Sequence, residues 1–236
     1  TLNNRNNNFE VISHSFRGES QLCRIKNNNK IRDINFNLIG KVQLKNIFMA
    51  MIAAKNSGLS LDKILNIIPK IRAVEGRFEK IGKIKNRSKV ILDYAHTPDA
   101  LKTCLLNLKE QFPNKKINVL FGCGGNRDQN KRSKMGKIAL NYSDNIILTN
   151  DNPRFENAEK IRRDIKKGIS KKKIIEISSR EKAIYEAIKN LNTGDILLVA
   201  GKGHETTQDL GNKKIYFSDR KIILKAIKIK NRKLSE

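Results

Sequence analysis

Tryptophan is absent from this 236-residue sequence, aromatic residues reach only 6%, and there are three cysteines and four prolines. Each shortage removes a class of function. Basic segments without interleaved aromatic rings are poor platforms for stacking the bases of single-stranded nucleic acid. Cys23, Cys104 and Cys123 are odd in number and far apart, with no C-x-x-C pair and no histidine at ligand spacing. That argues against a disulfide framework or a zinc knuckle and fits a reduced, cytoplasmic setting. No run of about 18 apolar residues and no charged-then-apolar leader occurs, so neither a membrane span nor a signal peptide is expected.

Acidic residues are also short, 23 against 49 Lys and Arg, for a formal charge of +26. The basic residues are spread over nearly every segment, and Lys, Asn and Ile are abundant together. The charge therefore reads as a drift of composition onto solvated helix faces, and no nucleic-acid partner is expected. Anionic small substrates remain compatible. An apolar content of 38% supports a packed core. The chain opens on Thr1 and an Asn-rich stretch, which reads as the middle of a longer protein.

Residues 9 to 39 alternate as strands do, in Phe9–Ile12, Gln21–Ile25 and Ile34–Ile39, separated by polar turns at Arg17–Glu19 and Lys26–Lys30. This predicts an antiparallel meander. Helical faces follow from Leu44 to Ser57, ended by Gly58, and from Leu61 to Ile68 before Pro69. Residues 69 to 80 carry Pro69, Gly76 and alternating charge, and read as a linker. Beyond it, strands and helices alternate. Val90–Leu92, Ile117–Phe121, Ile146–Leu148, Ile174–Ile177 and Ile196–Val199 are apolar runs, with helices over 98–110, 132–141, 157–168 and 180–190 between them. A hairpin near Gly211-Asn212 and a last helix from about 218 to 229 close the chain. The pattern is α/β, a Rossmann-like, mostly parallel sheet.

Polar clusters stand at the ends of these strands. They are Asp93-Tyr94-Ala95-His96-Thr97-Pro98-Asp99, Gly122-Cys123-Gly124-Gly125-Asn126-Arg127-Asp128, Asp151-Asn152-Pro153-Arg154 and Gly201-Lys202-Gly203-His204-Glu205. In an open parallel sheet such ends converge on one crevice. The glycines at 122–125 either cradle a phosphate or make a tight turn, since the G-x-x-x-x-G-K-[ST] form is missing. Gly201-Lys202-Gly203 starts like a dinucleotide fingerprint but has Thr206 where the third glycine is needed. Cys123 is a small side chain in a tight loop or, less simply, a nucleophile. His96 and His204 are general bases, ligands or hydrogen-bonded loop residues. Arg127 and Arg154 match carboxylates bidentately, and Glu205 could pair with an ammonium. Two arginines and one glutamate suit a zwitterionic amino acid.

Together with Gly76-Arg77, these clusters resemble the motifs of the Mur ligases, in particular the branch that adds meso-2,6-diaminopimelate. The resemblance covers roughly residues 36 to 220. It implies that residues 1–74 are the tail of a central ATP-binding domain, with Leu38-Ile39-Gly40 and Asn46 in its closing segment. Residues 75–236 would be the C-terminal, amino-acid-binding domain. One departure is local: Lys41-Val42-Gln43 stands where the family has a Phe-Asn pair.

The same resemblance implies an ATP- and Mg2+-dependent ligase of peptidoglycan synthesis, acting on the small molecules UDP-MurNAc-L-Ala-D-Glu and meso-diaminopimelate through an acyl phosphate. It implies a cytoplasmic monomer without membrane or nucleic-acid partners. Asp151, Asn152, Pro153 and Arg154 would form the diaminopimelate recognition motif, completed by Arg127, Gly201 and Glu205. Arg154 would take the distal carboxylate that lysine lacks. Arg77, Asp93 and His96 would lie near the nucleotide. No metal ligands and no P-loop stand in these residues, so this chain alone is not expected to catalyse ligation.

Overall fold

The computed structural model describes residues 9–28, 30–170 and 174–235. Asn29, within the predicted turn Lys26–Lys30, and the Asn-rich opening through Asn8 lie outside the described residues. Contacts divide the chain into two compact units. The first runs to Ala73 and also includes Glu110–Phe112, and the second comprises the rest from Val74.

In the first unit, β1 (Phe9–Arg17), β2 (Ser20–Asn27) and β3 (Lys30–Phe36) form an antiparallel sheet in that order. Gly18, at φ 62°, makes the first turn. Every second residue of β2 is buried, from Gln21 through Cys23 and Ile25 to Asn27, as period-2 geometry requires. That face packs with Ile34 and Phe36 of β3 against Leu44, Ile47, Phe48 and Met51 of α1 (Lys41–Asn56) and Ile64 of α2 (Leu61–Ile67). The buried Gln21 amide is satisfied by donating to the carbonyls of Leu38 (2.6 Å) and Gly40 (3.0 Å).

The second unit holds a six-stranded sheet. Its members are β4 (Glu79–Ile81), β5 (Lys89–Asp93), β6 (Ile117–Phe121), β7 (Asn145–Leu148), β8 (Ile174–Glu176) and β9 (Ile196–Ala200), ordered β4-β5-β9-β6-β7-β8. All neighbours are parallel except β4 with β5. Strands β6 and β9 are buried throughout, which is why they read as unbroken apolar runs. The crossover helices are α3 (Pro98–Gln111), α4 (Asn130–Tyr142), α5 (Ala158–Lys166) and α6 (Arg180–Lys189), followed by the hairpin β10 (Thr207–Asp209) and β11 (Lys214–Tyr216) and by α7 (Asp219–Lys233). Asn157, Ser179 and Ser218 cap α5, α6 and α7 by accepting from the amides of Lys160, Lys182 and Lys221. The α/β, mostly parallel, Rossmann-like fold is as the sequence predicts.

Two expectations are corrected. The stretch 69–80 is not a plain linker, because it contains a 3-10 turn at Ile68–Lys70 and the start of β4. That strand is three residues long and flanked by Gly76, Gly82 and Phe78, all at positive φ, so no alternation betrays it. The last helix runs to Lys233 rather than 229, its final turn rich in lysine and arginine, where cations favour the carboxyl end of a helix dipole. Among the described residues no helix is long and apolar enough to cross a membrane.

Candidate functional site

The carboxyl ends of β5, β6, β7 and β9 open into one pocket of about 320 Å³, lined among others by Tyr94, His96, Arg127, Asp151, Arg154 and Glu205. The convergence expected from the strand ends is therefore present. Asn152, Gly201 and Lys131 also line it. Pro153 does not; it borders a small crevice behind the loop together with Cys123 and Ile161.

The loop after β7 is held from three sides. Asn152 Oδ1 accepts from Lys202 Nζ (2.9 Å) and the Asp209 amide (3.1 Å), and its Nδ2 donates to Glu205 Oε2 (3.0 Å). Asp151 is buried; its Oδ1 accepts from the Asn152 amide and its carbonyl from Gln208 Nε2 at 2.6 Å. Arg154 sits at φ 51°, a conformation that side chains other than glycine adopt only when their surroundings impose it. Here the imposing contacts are Arg154 N to Asp209 O (3.1 Å) and Arg154 Nη1 to Gly125 O (2.9 Å). Asp209 Oδ2 lies 3.6 Å from Arg154 Nε.

The glycines after β6 are there for close approach of backbone. A Cβ on Gly125 would lie 1.9 Å from the Pro153 carbonyl oxygen, and one on Gly122 would lie 2.3 Å from that of Thr149. The loops after β6 and β7 are thus in direct backbone contact, and Gly125 N donates to Asn152 O at 2.9 Å. Cys123 is buried beside Met135. Burial pushes its thiol up to about 12, so it is packing and not a thiolate nucleophile.

The loop after β9 changes one reading. Glu205, expected to await an ammonium, already has one: Lys202 Nζ lies 2.8 Å from its Oε2. Lys202 is fully buried and also donates to Thr207 O at 2.7 Å. Burial works to raise the Glu205 carboxyl, but Lys202, Asn152 and Tyr94 outweigh it and hold the group below the usual glutamate range.

Around Tyr94, the Arg77 guanidinium stacks 4.6 Å from the ring centroid, with His96 edge-on at 4.6 Å and His204 at 5.4 Å. His96 Nδ1 is 2.8 Å from Tyr94 O, and Lys131 Nζ donates to His96 O. Asp93 faces inward, accepting from the amides of Phe78 and Ala95, both at 2.8 Å, and from Cys104 Sγ. Neither Arg77 nor Asp93 lines the pocket.

Several residues escape sequence reasoning. Arg180 is completely buried, forks onto Asp219 (2.8 and 2.6 Å) and donates to Ala200 O at the end of β9. Arg132 is buried between Glu156 and Asp164. Both stand in the first turn of a helix, where a basic residue is out of place by dipole logic, and that was the available signal.

Residues 76–203 match the family described as "Mur ligase, glutamate ligase domain". The chain belongs to the Mur ligase family. Among curated Mur ligases, the UDP-N-acetylmuramoyl-L-alanyl-D-glutamate--2,6-diaminopimelate ligase of Rickettsia felis (strain ATCC VR-1525 / URRWXCal2) is 40% identical over 240 residues, covering 97% of this chain and 44% of that protein. The ligase of the same name from Buchnera aphidicola subsp. Baizongia pistaciae (strain Bp) is 45% identical over 199 residues, 84% of this chain and 39% of that protein. A solved structure with the same ligase name superposes with a TM-score of 0.74 at 32% identity, over 97% of this chain and 47% of the other. This Mur ligase chain thus spans about half the length of the relatives it matches.

Proposed function

We propose that this chain is the amino-acid-binding part of an ATP-dependent ligase that joins meso-2,6-diaminopimelate to UDP-N-acetylmuramoyl-L-alanyl-D-glutamate, forming an amide bond in peptidoglycan precursor synthesis. The observation that carries the reading is the placement of Arg127, Arg154 and Glu205 around one pocket at the sheet's carboxyl edge. A diamino dicarboxylic acid offers two carboxylates and two ammonium groups, and two guanidinium groups with one carboxylate complement most of that charge. Relatives that carry the diaminopimelate ligase name match nearly the whole chain.

In this reading Arg154 takes the distal carboxylate and Arg127 the other, while Glu205 receives an ammonium. Asp151, Asn152 and Pro153 complete the recognition motif with Arg154, and Gly201 keeps the pocket floor free of a side chain. Arg77 and His96, grouped on Tyr94, face the nucleotide, and Asp93 shapes that loop from beneath. Residues 1–74 are the tail of the central ATP-binding domain and 75–236 the C-terminal domain. A cytoplasmic monomer acting on small molecules is the setting this implies.

Mg2+ and the phosphates of ATP find no holding site among the residues in hand. Among the described residues no three His, Cys, Asp or Glu side chains could hold a metal ion together, and the sequence has no G-x-x-x-x-G-K-[ST] loop. The contribution of this chain in this reading is to bind, orient and discriminate the amino acid.

The test is a competition between meso-diaminopimelate and L-lysine as acceptors for the complete gene product. Lysine lacks the distal carboxylate, so Arg154 would lose its ligand partner, at a cost on the order of 2 to 5 kcal/mol, or tens- to thousands-fold in discrimination. Equal rates with the two amino acids would overturn the reading.

A further inference from the structure

The geometry points to Lys202 as a positioning residue that fixes how Glu205 and Asn152 face the incoming amino acid. The inference rests on the reading of this pocket as the diaminopimelate site. Lysine is rarely fully buried unless paired, and Lys202 is fully buried. Its ammonium meets three acceptors, Asn152 Oδ1 at 2.9 Å, Glu205 Oε2 at 2.8 Å and Thr207 O at 2.7 Å. An ammonium has three N–H donors and no acceptor, so Lys202 is saturated. It is accordingly not a base or a nucleophile toward substrate.

Two consequences follow. First, the Asn152 side chain can stand only one way. Its Oδ1 receives both the ammonium and the Asp209 amide; an inverted amide would set NH2 against two donors and leave Glu205 without its Nδ2 partner. Second, Glu205 Oε2 takes two donors, from Lys202 and Asn152. That pins the carboxylate plane, and of its roughly four lone-pair sites some remain for a ligand ammonium. The groups around Glu205 are Lys202 on its own loop, Tyr94 after β5 and Asn152 after β7, with Arg180 of α6 and its partner Asp219 behind. Gly201 at φ 116° and Gly203 at φ 50° turn the backbone on either side of Lys202. A Cβ on Gly203 would lie 2.8 Å from both Gly76 O and Tyr94 Cβ, so the lysine between them has one course to follow.

The experiment compares the unsubstituted complete gene product with Lys202→Met, Glu205→Gln and the double variant. Lys202→Met is expected to raise KM for meso-diaminopimelate about tenfold or more, with KM for ATP and for the UDP-linked substrate changed less than about twofold. Because Lys202 acts through Glu205 as well as Asn152, the double variant should lose clearly less than the sum of the two single losses. Additive losses, an unchanged KM for diaminopimelate in a folded Lys202→Met protein, or equal rises for all substrates would each overturn the assignment. Failure of the unsubstituted protein to use diaminopimelate would instead overturn the functional reading, and the coupling would still be decided by carbon-13 NMR titration of the Glu205 carboxyl. In the unsubstituted protein that group should titrate below the ordinary glutamate value of about 4.3. Titration at or above it would sink the inference, and needs no variant to fold.

Discussion

The two edges of the six-stranded sheet handle charge differently. At the amino edge, carboxylates cap backbone amides close by: Asp144 Oδ2 accepts from Ile117 N at 2.7 Å, and Asp195 Oδ2 from Asn192 N at 2.9 Å. Asn118 and Asn145 join hands there, and Asn118 also donates to Ile196 O. At the carboxyl edge Asp93 and Asp151 also accept from backbone amides, but buried cations are added that tie separate segments together: Arg180 to α7 and β9, Lys202 to the loops after β7 and β9, and Arg132 to α5 and the turn before it. Neighbouring strand starts can be joined by single hydrogen bonds. A ligand site assembled from four loops needs its parts fixed against each other, and a long, multiply donating side chain does that where no regular secondary structure can.

The sharpest way to break this contrast is Arg180→Met. It leaves Asp219 buried without its partner and should destabilise the protein by about 3 to 5 kcal/mol, read from urea unfolding. A loss below about 1 kcal/mol, as for an exposed ion pair, would mean the carboxyl-edge cations are not holding the loops. Next comes Arg154→Met, which should raise KM for meso-diaminopimelate by tens- to thousands-fold in steady-state ligation while moving the unfolding midpoint little. A large stability loss with unchanged KM would make Arg154 a structural residue like those beneath it.

A matched pair of glycine substitutions compares the edges directly. Gly125→Ala forces a Cβ within 1.9 Å of Pro153 O and should cost about 3 kcal/mol, the upper range for overpacking. Gly194→Ala at the amino edge, at φ 79° with the flexible Lys115 side chain as the nearest neighbour of an added Cβ, should cost about 1 kcal/mol through its backbone conformation. Thermal unfolding of the two would show whether the loop contact is as rigid as it looks.

The smallest effect is a pH one. Burial tends to raise the Glu176 carboxyl, but Lys166 and Arg162 outweigh it and hold the group below the usual range. A carboxylate depressed in the folded state contributes stability above its unfolded value, near 4.3, and that contribution fades as pH falls through the folded value. The difference between the native chain and Glu176→Gln, about 1 kcal/mol or less, should therefore be flat above about pH 5 and shrink below about pH 4. A difference that grows in acid would reverse the sign of the argument.

How much of this was legible depends on which physical signal each part leaves. The parallel strands announce themselves because burial on both faces demands unbroken runs such as Ile117–Phe121 and Ile196–Ala200, and their polar ends show where a ligand would lie. Strand β4 leaves no signal, since three residues are too few to alternate and its edge pairing needs only backbone. The acidic and basic residues of the pocket were legible by type, but their pairing was not. Lys202 looked like one more lysine in a chain of composition +26, and only the fold reveals that it is sealed against Glu205. Arg132 and Arg180 left only the faint mark of a basic residue in a helix's first turn, and Asp219 none, because sequence pattern assigns charges to solvent and three-dimensional partners alone overrule it.

The backbone-to-backbone contact between Gly125 and Pro153 bears on engineering. Anyone altering this pocket by loop grafting must transplant the segments after β6 and β7 as one cassette, because neither accepts a foreign partner across so short a gap. Point libraries at Arg127 and Arg154, which keep the main chain intact, are the more promising route to a changed ligand preference under the proposed function.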